Sequence, residues 1–136
     1  MNVILQDGVV IGDNAFLGCC KLPYNINIEN ASMIGSHAFS NCNLNKSELV
    51  LTQAKSIGSG AFGGNNTINK VTLPACTEFV GAKAFDCKSL ESIEVAEDNP
   101  CYASLDGALF SKDMKTLCFV PCNNQQPVNQ DNGTST

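Results

Sequence analysis

Eight cysteines, one histidine and one glycine-rich segment are the residues of this 136-residue chain whose types could do chemistry. Cys19, Cys20, Cys42, Cys76, Cys87, Cys101, Cys118 and Cys122 could pair as disulfides, hold zinc or supply a thiolate nucleophile. Zinc needs closely spaced ligand pairs. The chain has no C-x-x-C, and Cys118 and Cys122 have three residues between them and no second pair, so no metal site is expected. His37 would need a poised thiol beside it to make a Cys–His pair. Its near neighbour Cys42 belongs to a column read below as facing inward, so His37 is expected to be an exposed turn residue. The segment I-G-S-G-A-F-G-G at residues 57–64 lacks the G-K-[ST] ending of a phosphate loop. Asp and Glu are scattered, with no matched pair to hydrolyse a glycoside. No enzyme activity and no cofactor are expected.

What positions these residues is a repeat. Ala-Phe recurs with Phe16, Phe39, Phe62 and Phe85, each 23 residues after the last. An aliphatic-Gly pair precedes it in the same register, at Ile11-Gly12, Ile34-Gly35, Ile57-Gly58 and Val80-Gly81. A period in this range marks a solenoid in which each unit is one turn of a coil and buries its apolar face only by stacking. The expected fold is mostly β, with short parallel strands alternating in hydrophobicity at Ile26–Ile28, Leu49–Leu51, Val71–Leu73 and Ile93–Val95. A further buried aliphatic leads each strand, at Leu22, Leu44, Ile68 and Leu90. Phe points into the core, Gly permits the bend, and Ala-Phe-x-x-Cys is expected to form a single helical turn. Small indels cancel within each unit, as a coil of constant turn length requires.

The same register reads the thiols. Cys19 and Cys42 lie three residues after their repeat Phe, Cys87 lies two after its own, and Asn65 takes the place in the third unit. A buried turn can use a small thiol for packing or an amide for binding loop backbone, so this column is expected to hold free structural thiols. A bridge among Cys101, Cys118 and Cys122 stays open. Residues 1–98 are read as about four rungs with a partial first one. Residues 99–122 are read as a β-hairpin cap, with a turn at Asp106-Gly107 and a polar loop between 108–110 and 117–120. The polar run 123–136 is expected to be disordered.

Units of the form I-G-x-x-A-F-x-x-C-x-x-L carry a resemblance to a known family. The strings I-G-D-N-A-F-L-G-C-C-K-L (11–22), I-G-S-H-A-F-S-N-C (34–42), I-G-S-G-A-F (57–62) and A-F-D-C-K-S-L-E-S-I-E-V (84–95) resemble the BspA-like leucine-rich repeats. The closing Y-A-S-L-D-G-A-L-F-S-K-D (102–113) is similar to a segment that often follows them. The resemblance implies a leucine-rich repeat solenoid and a surface or secreted protein of a host-associated organism. It also implies adhesion to host proteins or cells, with no catalytic residues to carry over.

Composition agrees with a surface rather than a site. A net charge of −5 argues against nucleic acid as the main partner, which a basic footprint would serve. No apolar run is long enough to span a membrane, so no direct insertion is expected. The start shows no signal-peptide pattern, but the chain is read as a piece of a longer protein, which leaves the compartment to the resemblance. In an x-Φ-x-Φ-x strand the x residues face outward. The predicted face, taken as concave, centres on Asn27, Val50, Thr72 and Glu94, flanked by Asn25, Glu48, Lys70 and Ser92. Tyr24 is its aromatic anchor. The expected function is noncatalytic binding of a protein or glycan, including host extracellular matrix. The alternative is a structural spacer within a larger protein. The open N-terminal edge at Val3–Leu5 is expected to promote self-association.

Overall fold

A computed structural model describes residues 3–125. Each repeat contributes up to two short strands, and the strands of successive rungs pair in parallel. One sheet runs β1 (Val10–Ile11), β2 (Met33–Ile34), β4 (Ser56–Ile57) and β6 (Phe79–Val80), in the order β1-β2-β4-β6. Its register aligns Ile11 with Ile34, Ile34 with Ile57 and Ile57 with Val80, so the repeat aliphatics form one row. The second sheet contains β3 (Glu48–Val50), β5 (Lys70–Leu73) and β7 (Ser92–Val95), paired in that order. No α-helix occurs among the described residues; the fold is a β-solenoid.

The first predicted strand is a correction. Ile26–Ile28 does not join the second sheet, and Ile28–Asn30 forms a 3₁₀ turn instead. The apolar alternation there is satisfied without a strand, since Ile26 and Ile28 are both buried in the turned chain. Between them Asn27 clamps the peptide of Leu5: its amide oxygen accepts from the Leu5 N–H at 3.0 Å and its nitrogen donates to the Leu5 carbonyl at 2.8 Å. An alternating pattern specifies which side chains go inward but not whether a ladder partner exists. Here the partner segment, residues 3–8, is held by the Asn27 and Asn30 side chains at Leu5 and by a single backbone bond, from Gly8 N–H to Asn30 C=O at 2.7 Å.

The core is a stack. Phe16, Phe39, Phe62 and Phe85 lie ring on ring, with centroids 5.1, 5.3 and 5.7 Å apart and planes within 13° of parallel. Full burial of such a ring stabilises by roughly 2–3 kcal/mol. Ile68, Leu90, Val71, Ile93 and Leu73 fill the rest from the second sheet's side. The bend carrying each Phe is a set of hydrogen-bonded turns rather than the expected helical turn: Ala38 N–H donates to Gly35 C=O and Ser40 N–H to His37 C=O. These turns also ladder between rungs, since Phe16, Phe39 and Phe62 N–H donate to the carbonyls of Ala38, Ala61 and Ala84, each at 2.8 Å.

The repeat glycine has a different reason from the one its sequence suggests. Gly35, Gly58 and Gly81 do not adopt left-handed backbone; they lie against the preceding rung. A Cβ at Gly58 would stand 2.4 Å from the Ser36 nitrogen, and one at Gly81 2.4 Å from that of Ser59. Glycine is required by close approach of two backbones, not by a bend. Left-handed residues occupy another column, three residues before the last of each Ala-Phe-x unit's turn: Asn14, His37, Gly60 and Lys83, with φ of 59°, 55°, 64° and 56°.

The far end is closed by an antiparallel meander of β8 (Tyr102–Leu105), β9 (Ala108–Ser111) and β10 (Leu117–Phe119), in the order β10-β9-β8. Asp106 and Gly107, with φ of 53° and 83°, make the first turn. The expected hairpin is thus extended by a strand. It is tied to the last rung by Ile93 N–H to Gly107 C=O at 2.8 Å and by Val80 N–H to the Tyr102 hydroxyl at 2.8 Å. The polar run expected to be disordered from 123 begins bonded: Asn123 N–H donates to Leu90 C=O, and the Asn124 amide donates to Glu91 and Asp106. The rest of that expectation, from residue 126, lies outside the described residues.

Gly58→Ala is expected to destabilise the fold by about 2 kcal/mol or more, because neither backbone can retreat without opening the ladder. Thermal unfolding of the variant beside the parent measures it.

Candidate binding faces of the solenoid

The predicted face is largely assembled. The ladder places Glu48 beside Lys70 and Ser92 in one row, and Val50 beside Thr72 and Glu94 in the next. Glu48, Val50 and Glu94 are exposed, while Lys70 and Thr72 are half-buried. These five candidates share one outward surface because a strand alternates and its neighbours are in register. Beside β3 this surface dips into a furrow of about 310 Å³ where Glu48, Val50, Glu29 and Lys46 meet, in the place a first-rung strand would fill. Asn27 is not on this face; its amide is spent on Leu5. Tyr24 is 72% exposed but sits in a turn, away from any strand.

A second outward row escaped the sequence reading. On the other sheet Val10, Met33 and Phe79 are 61, 45 and 53% exposed and are aligned by the ladder, with Ser56 between Met33 and Phe79. The small serine opens a furrow of about 300 Å³ between the two large apolar side chains. Its signal was the residue before each aliphatic-Gly pair, three of four being large and apolar where an outward strand position favours polar types.

The thiol column faces inward as its register implied. Cys42 Sγ donates to Phe16 C=O at 2.8 Å and Cys87 Sγ to Phe62 C=O at 3.1 Å. Asn65 Nδ2 donates to Phe39 C=O at 2.7 Å, so each rung's column residue satisfies the Phe carbonyl of the rung before. The asparagine does more than the thiols, also donating to Phe62 C=O and accepting from Leu44 N–H. All eight cysteines are free, the three of the closing segment included. Burial pushes the Cys42 thiol up, and burial raises Cys87 to about 11 despite a hydrogen bond from backbone at Asn65. A thiol so held is protonated and a poor nucleophile at neutral pH. Cys118 and Cys122 are also raised, mainly by partial burial.

His37 lies on the turn edge in left-handed backbone, exposed, with its ring over Gly60: a Cβ there would be 2.5 Å from the imidazole. Rung three has Gly60, Gly63 and Gly64 where its neighbours carry side chains, which leaves a notch of about 450 Å³ bordered by His37, Asn41, Lys83 and Lys88. Among the described residues no three His, Cys, Asp or Glu side chains gather as a metal site.

A stack of parallel rungs with two outward strand faces and a capped end defines a solenoid repeat protein. The chain belongs to the BspA-type leucine-rich repeat family, whose six-copy pattern matches residues 9–127. It is similar to the crystal structure of the pneumococcal vaccine antigen PcpA, with 31% identity and a TM-score of 0.58 over 71% of this chain and 25% of that one. It also shares its fold with a leucine-rich cell surface protein from Faecalibacterium prausnitzii, at 23% identity and a TM-score of 0.63 over 85% of this chain and 31% of that one. The chain therefore spans less than a third of either neighbour. No curated protein matches it.

Two outcomes follow for the column. Native protein is expected to leave Cys42 and Cys87 unlabelled by a thiol reagent at pH 8 that modifies exposed Cys20, read by mass spectrometry. Because burial holds the folded Cys87 thiol at about 11, above its ordinary value of 9.0, its contribution is complete below pH 9 and is lost as pH rises through about 11. The parent should therefore lose more stability between those limits than Cys87→Ala, by on the order of 2 kcal/mol. Asn65→Ala should cost about 2–4 kcal/mol by stranding buried backbone groups, seen in urea unfolding.

Proposed function

We propose that this chain is a noncatalytic binding module of a cell-surface or secreted protein, recognising a protein or glycan over the β3-β5-β7 face. The observation that carries the reading is the registered outward row of Glu48, Lys70, Val50, Thr72 and Glu94. Repeat solenoids bind through such extended surfaces, with many small contributions from adjacent rungs. The buried thiols of Cys42 and Cys87 are shielded and protonated rather than activated, which favours recognition over covalent chemistry. The two structural neighbours, a vaccine antigen and a cell surface protein, support the location. A net charge of −5 favours protein or neutral glycan over nucleic acid, and extracellular matrix of a host is the partner class to screen first.

The purified, reduced chain should bind saturably to a member of an array of matrix proteins and glycans. Thr72→Lys with Glu94→Lys, both at solvent-facing strand positions, should weaken that binding at least tenfold, about 1.4 kcal/mol, with the fold unchanged by circular dichroism. Unchanged binding by the double variant sinks the face assignment. An array without any hit would make the chain a spacer, for which an uninterrupted ladder suffices.

A further inference from the structure

The notch in rung three is more open than the fold requires. It measures about 450 Å³, and none of its lining residues belongs to a strand. Gly60, Gly63 and Gly64 leave it open. Two of these glycines are accounted for by their neighbours: a Cβ at Gly60 would press into the His37 ring, and one at Gly64 would overlap the Asn41 Oδ1. Gly63 has no such reason, since its backbone is not left-handed and a Cβ there would meet nothing nearer than 3.5 Å. The other rungs carry Leu17, Ser40 and Asp86 at this column, so folding does not demand glycine in it.

One polar group is left unsatisfied there. Ser40 is 8% exposed, yet its hydroxyl has no hydrogen-bond partner among the described residues. It lies 4.0 Å from the point where a Gly63 Cβ would stand, so it faces the space that the glycine leaves open. A hydroxyl buried to this extent costs free energy unless something in the notch bonds it. The walls define the chemistry of that occupant. From rung four, Lys83 and Lys88 are exposed, and neither ammonium is paired among the described residues. Asp86 is the single carboxylate of the lining among those residues, and its Oδ1 accepts from Cys122 Sγ at 3.4 Å. From rung two come the Asn41 amide and the His37 imidazole. Two cations against one carboxylate make the notch locally positive in a chain of net charge −5.

We propose that this notch binds an acidic sugar, a pyranose bearing a carboxylate, between His37 and Asn41 on one wall and Lys83 and Lys88 on the other. The lysines pair with the carboxylate through charge-assisted hydrogen bonds. The Ser40 hydroxyl, the Asn41 amide and the Asp86 carboxylate take up ring hydroxyls, which need donors and acceptors together. An inorganic anion would use neither the acceptors nor most of the volume, and an apolar ligand would leave Ser40 unpaired. The site lies on the bends and is separate from the β3-β5-β7 face, so it stands or falls independently of binding at that face.

Titration of the isotope-labelled chain with glucuronate, followed by amide NMR, tests the site, with glucose and inorganic sulfate as the other arms. Glucuronate should saturably shift the amide signals of Gly60, Gly63, Gly64 and Lys83 with a dissociation constant on the order of 1 mM, and glucose and sulfate should each bind at least tenfold more weakly. Gly63→Leu, which gives rung three the residue type that Leu17 supplies in rung one, should keep the parent's circular dichroism and weaken glucuronate at least tenfold. Lys83→Gln with Lys88→Gln, both at exposed positions, should bring glucuronate down to the level of glucose. Thr72→Lys with Glu94→Lys should leave the titration unchanged, which separates this site from the strand face. No saturable shift up to about 100 mM glucuronate overturns the proposal. Sulfate binding as tightly as glucuronate overturns it by reducing the notch to an anion site, and unchanged binding by the lysine double variant overturns it equally.

Discussion

Every other feature of this molecule depends on the distance between one rung and the next. Backbone hydrogen bonds hold neighbouring strands at a fixed separation, and the Phe stack, at 5.1–5.7 Å between centroids, has to accept that separation. The glycine column marks where the two demands meet, because there the backbones approach closely enough to exclude even a methyl group. A side chain at that column would pry the ladder open on one side while the rings held it on the other. Rung length is free to vary inside each turn of the coil, but rung spacing is not.

A narrow stack buries peptide groups at its bends that a thicker protein would pair within regular structure. Here the problem is solved once per rung by a side chain reaching to the rung before. Cys42, Asn65 and Cys87 each serve the Phe carbonyl behind them, and Thr77 serves that of Ala54. Two chemistries are interchangeable at this point because the task is to donate one hydrogen bond from a small buried group. The same task explains why these thiols are poor reagents: burial favours the protonated form that the carbonyl needs. The cysteine content of the chain is thus chiefly a structural matter where the thiols are inward. The functional potential lies on the outward strand positions, which the ladder aligns without constraining their chemistry.

The repeat period, the inward aliphatics, the Phe column and the Cys–Asn column were legible in the sequence alone, because each is a local requirement that recurs at the same place in successive rungs, and the closing turn at Asp106-Gly107 was legible because the dipeptide is itself a turn signal. The outward row from Glu48 to Glu94 was legible for the same reason, since strand alternation and register follow from the period. Tertiary structure decided what depends on a neighbour. The 3₁₀ turn at Ile28–Asn30 replaced a strand because the chain beside it is clamped by the Asn27 amide, and no pattern within residues 26–28 encodes that partner. The furrow at Ser56 and the close approach at Gly35, Gly58 and Gly81 exist only through what lies one rung away. A residue's direction is set by its own rung; its contacts, and the meaning of a glycine, are set by the next one.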